Sequence, residues 1–164
     1  MSTGSAPDRA AFVGSLQAEL ATLQEFCRTL QAEQDALLRS DVAAVVKLSE
    51  AKSDLVERLA ALAAVRAAYL DAQQLTADRR GMAQWLLAQA GSDHETISHQ
   101  WQRLLEMAAQ AQALNQSNGA LIGMRLSHNR AALTTLHAAA QRHTLYRPDG
   151  QADLGAITRE LGRA

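Results

Sequence analysis

No proline interrupts the chain between Pro7 and Pro148. Proline breaks helices because it lacks an amide hydrogen and its ring collides with the preceding turn, so its absence leaves about 140 residues free to run in long helices. Within that stretch the seam positions step by three and four. They run Val13, Leu16, Leu20, Leu23, Cys27, Leu30, Gln34 and Leu37, then Val45, Leu48, Lys52, Leu55, Leu59, Leu62, Arg66 and Tyr69. An alternation kept up over several heptads is a coiled-coil seam. Aromatic residues are only 4% of the 164 residues, a profile of long helices and not of a sheet.

Local signals divide the stretch. Asp8 suits the cap of a first helix running to about Arg39, and Ser40-Asp41 reads as a stop followed by a new cap. A second helix then folds back on the first or leaves it at a sharp bend. The pattern breaks from Leu70 to Ser92, where Met82 to Ala90 suits a short helix with Trp85 and Leu86 on its apolar side and Gly91 at its end. Ser92-Asp93-His94-Glu95 has the form of a capping box and opens the longest helix. Its seam reads Ile97, Trp101, Leu104, Ala108, Ala111, Asn115, Asn118, Ile122, Arg125, Asn129, Ala132, Leu136. From His94 to about Ala140 it would be roughly 70 Å long against roughly 48 Å for the first helix, so one end should overhang or bend.

The expected fold is all-α: an elongated antiparallel helical bundle, or coiled-coil-like hairpin, of three long helices with a short extra helix and a flexible C-terminal tail. Residues 1–146 form the bundle and 147–164 the tail, divided by the turn signal Arg147-Pro148-Asp149-Gly150. The tail offers Leu154, Ile157 and Leu161 as one apolar stripe. Burying them would gain about 1.5–3 kcal/mol each, less than the roughly 1–2 kcal/mol per residue needed to order the backbone around them. A partner surface could make up the difference.

Composition and motifs exclude several functions. The net charge is −1, and six arginines against three acids in residues 125–164, with no aromatic platform, make a weak case for nucleic acid. Cys27 is the only cysteine, which rules out an intrachain disulfide and fits a reducing compartment. No secretory signal opens the chain, and the longest uncharged apolar run, Leu59 to Val65, is too short to span a bilayer, so a cytoplasmic protein without membrane insertion is expected. The five histidines include no pair at the spacing that shares a helical face, and there is no phosphate-binding loop or nucleophile elbow. No catalytic, cofactor-binding or metal-binding residues are expected, and the chain is not read as an enzyme. Cys27 and Trp101 read as core, and Lys52 and Arg66 as long side chains that snorkel to the edge of the seam.

Asn115-Gln116-Ser117-Asn118-Gly119 stands out, because amides and a glycine in a helix seam give up packing and helix propensity. Asn115 and Asn118 either form a polar layer that fixes register or bind a partner, and Gly119, four residues before Gly123, could admit another backbone. Together with Leu114, with Trp101-Gln102 upstream, with Lys52 ahead of the Leu55, Leu59, Leu62 stripe, and with Thr144-Leu145-Tyr146 leading to Asp149-Gly150-Gln151, this segment resembles the FlgN family of flagellar export chaperones. The likeness covers about residues 10 to 152; Arg147-Pro148 and the last dozen residues depart from it. The resemblance implies a cytoplasmic chaperone that binds hook-filament junction proteins (hook-associated proteins), prevents their premature assembly and delivers them to the export gate. It assigns client contact to the tail after the long helix and docking on the gate's cytoplasmic domain to Tyr146. The expected partner-binding residues are thus Asn115, Asn118, Gly119, Tyr146, Leu154, Ile157 and Leu161, with self-association as a further partner class. The alternative is a non-catalytic coiled-coil adaptor or structural bundle protein.

Overall fold

A computed structural model describes residues 8–89 and 93–145, with side chains as far as Gln141. They form four helices, α1 (Arg9–Arg39), α2 (Val42–Ala72), α3 (Arg79–Ala88) and α4 (His94–Leu145), and no strand occurs among the described residues. The chain divides into two compact units, Met1–Ala120 and Leu121–Ala164.

Aspartates open three of the helices in the same way. The Asp8 carboxylate accepts from the Ala10 amide at 2.9 Å, Asp41 from Ala44 at 3.0 Å and Asp78 from Gly81 at 2.9 Å, each satisfying an amide that the first turn leaves without a carbonyl. Between α1 and α2, Ser40 takes the left-handed conformation (φ 61°). That puts the Ser40 amide on Leu37 O at 3.1 Å and the Asp41 amide on Ala36 O at 3.0 Å, so the first helix closes and the second opens within two residues. The connection is a hairpin and not a bend. Glu19 pairs with Arg66, Glu25 with Arg58 and Glu33 with Lys52, so α2 runs antiparallel to α1.

In the first unit α4 runs alongside α1 in the same direction. Arg9 meets Asp93 at 3.1 Å, the Cys27 thiol meets Met107 O at 3.5 Å, and the Asn118 amide donates to Glu33 at 2.8 Å. With neighbours on two sides, α1 buries a wider stripe than a two-residue seam. Phe12, Glu19 and Glu33 are buried along with Leu16, Leu23, Cys27, Leu30 and Leu37, while Val13, Leu20 and Gln34 are half-buried. The short helix closes one end: Phe12 stacks on Tyr69 with centroids 3.8 Å apart, and Trp85 of α3 meets Phe12 edge-on at 4.9 Å.

Two features of the sequence reading shift. The short helix starts at Arg79, not Met82, because Asp78 caps it, and Gly81 lies inside its first turn with no room for a Cβ against the Thr76 carbonyl. In α4 the packed side passes through Met107 and Leu114 where Ala108 and Asn115 were expected, and Ala108 and Asn115 are exposed. The rotation puts the larger or more apolar of each pair against α1, which is the favourable choice for burial. The expectation of a flexible tail over 147–164 lies outside the described residues.

Candidate interaction sites

The first site is a polar node in the first unit. Glu33 is 2% exposed and Asn118 1% exposed, far deeper than carboxylates and amides normally lie. The Glu33 Oε1 accepts from Lys52 Nζ at 2.7 Å and its Oε2 from Asn118 Nδ2 at 2.8 Å. The same Nδ2 also donates to Leu30 O at 2.8 Å. One carboxylate therefore ties α1 to α2 and to α4. Beside it, Gln34 Nε2 donates to Ser117 Oγ at 2.9 Å.

A second charged layer lies further down the hairpin. The Arg66 Nε and Nη2 each donate to a Glu19 oxygen at 3.1 Å, and the guanidinium carbon sits 5.3 Å from the centroid of the Trp101 ring. Bidentate pairing and the aromatic face together make up for the water that Glu19 and Arg66 give up. Lys52 and Arg66 thus do not snorkel to the edge as the sequence suggested; each is turned inward onto a carboxylate of α1. The signal was present in spacing: Glu19 and Glu33 stand two heptads apart, and so do Lys52 and Arg66.

Of the residues expected at a binding site, Asn118 is buried inside this node. Asn115, one turn before it, and Gly119, the next residue, are exposed, and a Cβ built on Gly119 would meet nothing within 4 Å, so no helix among the described residues makes the close approach expected there. Tyr146, Leu154, Ile157 and Leu161 lie outside the described residues. Cys27 is buried, and burial pushes its thiol pKa up, as befits a small core residue.

The second site belongs to the second unit and was only partly seen in the sequence. Along residues 121–141 of α4 the side chains are exposed or half-exposed, among them Ile122, Met124, Leu126, Leu133 and Leu136. Ile122, Leu126, Asn129, Leu133, Leu136 and Ala140 follow one another by four and three residues and share one face of the helix. No acidic residue occurs anywhere between Glu106 and Asp149. The charged or chargeable residues bordering the apolar face are Arg125, Arg130 and His137.

Comparison with known proteins decides the family: residues 1–153 match the family described as FlgN protein. The chain belongs to the FlgN family. The flagella synthesis protein FlgN of Yersinia enterocolitica is 30% identical over 154 residues, spanning 91% of this chain and 92% of that protein. A crystal structure of a Pseudomonas aeruginosa protein described as a flagella synthesis protein FlgN superposes with a TM-score of 0.64 at 22% identity, covering 71% of this chain and 89% of the other. The helical-bundle fold is therefore that of a FlgN-family protein. Among the described residues no helix is long and apolar enough to cross a membrane, and no group of histidine, cysteine or carboxylate residues could hold a metal ion.

Proposed function

We propose that the chain is a cytoplasmic chaperone of type III flagellar export, which binds hook-filament junction proteins, keeps them from assembling early and delivers them to the export gate. Membership in the FlgN family supports a role in flagellum assembly. The observation that carries the chaperone reading is the exposed Ile122–Leu136 face, since a helix with a continuous apolar stripe open to water is suited to a partner helix. A carrier of this kind needs no catalytic group, and the buried charges Glu19, Glu33, Lys52 and Arg66 are committed to holding helices together. Asn115 and Gly119, which are exposed, remain candidates for partner contact. Tyr146 is the candidate for docking on the gate's cytoplasmic domain, and Leu154, Ile157 and Leu161 extend the client surface.

Co-purification of the tagged full chain from a flagellated host tests the reading. A hook-filament junction protein is expected in stoichiometric amount. Recovery of only the chain itself or an unrelated scaffold protein would favour a structural adaptor instead.

A further inference from the structure

We infer that the groove between α1 and α4 in the first unit receives a short, extended, acidic segment supplied by a partner protein. None of its residues belongs to the face read as the client surface, so the two assignments stand or fall separately.

Cys27, Met107 and Leu114 floor an open groove of about 450 Å³, inside the roughly 300–1,000 Å³ range of ligand sites. Gln24, Arg28 and Gln31 line it from α1, and Arg103 and Gln110 from α4. Cys27 and Met107 are only 5% and 7% exposed, so the floor has little apolar surface left for the leucine face of a helix. The walls suit a different occupant. A helix satisfies its own backbone, whereas an extended segment brings amide hydrogens and carbonyls that need partners. Each glutamine side chain offers donors and an acceptor. The Gln24 and Gln110 amides have no partner among the described residues, and Gln31 donates to Gln34 at 3.2 Å, which leaves its own carbonyl oxygen to accept. The lined stretch is about 10 Å of α1 and about 16 Å of α4, a length that roughly three to five extended residues would span.

Charge decides the sign of that segment. No acidic residue lines the groove. Arg28 enters none of the ion pairs among the described residues. Arg103 meets Glu106 at 3.3 Å, but both side chains are about half exposed, and such a pair is worth at most about 1 kcal/mol. Carboxylates laid along the groove therefore meet an unpaired guanidinium on one wall and a weakly held one on the other. The chain has no net acidic segment to offer from its ends or its connection: 1–7 and 90–92 carry no charged side chain, and 147–164 carry three arginines against three acids. A second copy placed face to face would set these arginines against themselves. Nucleic acid finds no aromatic side chain here on which to stack a base.

The test titrates the full chain against labelled six-residue peptides and reads fluorescence anisotropy. The first peptide alternates aspartate with valine, which favours an extended chain. A second replaces aspartate with lysine, and a third methylates alternate backbone nitrogens of the first. The acidic peptide should bind at least tenfold more tightly than the lysine peptide, and backbone methylation should weaken it at least threefold. Arg28→Glu should lower its affinity at least tenfold with the melting temperature nearly unchanged, because Arg28 is exposed. Gln24→Ala with Gln110→Ala, which leaves the charge alone, should weaken binding at least threefold. Equal affinities, no binding at millimolar peptide, or indifference to both variants or to backbone methylation would each overturn the inference. So would tighter binding of a synthetic peptide of residues 147–164, which would give the groove to the chain itself, or of a single-stranded oligonucleotide of equal charge. A dimer in sedimentation equilibrium that Arg28→Glu dissociates would give the groove to a second copy and overturn it as well.

Discussion

A carboxylate as deeply buried as that of Glu33 persists only when its charge is met at both oxygens, and here Lys52 meets one and Asn118 the other. Removing one partner strands the charge. Lys52→Ala should cost about 2–3 kcal/mol, less than the roughly 3–5 kcal/mol typical of a broken, fully buried pair because the lysine keeps some contact with water. Adding Glu33→Leu should restore most of the loss by removing the stranded carboxylate. Denaturant midpoints of the two single variants and the double variant measure this directly, and a double variant no better than Lys52→Ala would show that the pair is not the source of the effect. Cys27 is a simpler case: its thiol is buried and its pKa raised, so little thiolate is available to react. At pH 8 in native buffer a thiol reagent should label it slowly, and denaturant should speed labelling by orders of magnitude. Rapid native labelling would mean that α1 and α4 separate readily near Met107.

The elements differ in how far local chemistry determines them. At Gly81 the backbone of α3 passes so close to Thr76 that a methyl group would overlap the Thr76 carbonyl, and the obstacle is backbone and cannot swing aside. Gly81→Ala should therefore loosen α3 from Phe12 and Tyr69 at a cost of about 1–3 kcal/mol, read as a red shift and loss of quenching of Trp85 emission. The cap of the same helix is acid-sensitive. The Thr76 hydroxyl, first, and the Gly81 amide hold the Asp78 carboxyl below the usual carboxylate range. A depressed folded pKa means the cap's contribution is complete above the unfolded value and fades as pH falls through the folded one. Fraying of α3 should thus appear only in strong acid, and Asp78→Asn should blunt it; onset near neutrality would contradict this. The caps at Asp8 and Asp41 and the stop at Ser40 were legible in the sequence because each depends on two or three adjacent residues. While the choice of a hairpin over a sharp bend stayed open, the core roles of Leu16, Leu30 and Trp101 followed from the heptad steps and that of Trp85 from the apolar side of the short helix. The facing side of α4 did not, since the choice of Met107 over Ala108 and of Leu114 over Asn115 is made by the surface of α1. The inward turn of Lys52 and Arg66 was missed for the same reason: their partners lie on another helix.

At the scale of the whole molecule, the bundle of the first unit can hold together without Tyr146 if that ring serves a partner. Tyr146→Ala should then leave the melting temperature nearly unchanged while weakening delivery to the export gate, measured by binding to the gate's cytoplasmic domain and by swimming motility. A large drop in melting temperature with normal motility would make it a core residue instead. The two charged layers of the hairpin act over a longer distance than either does alone. Sliding α2 by one heptad along α1 keeps the leucine pattern in phase, which is why uniform coiled coils tolerate such slips. In this chain a slip one way sets Glu33 against Leu59 and Glu19 against Gln73, and a slip the other way sets them against Val45 and Leu59. Both carboxylates lose their cations together in either direction. Deleting or duplicating a complete heptad of α2, the change that a repetitive helix tolerates best, is thus among the changes this hairpin can least absorb.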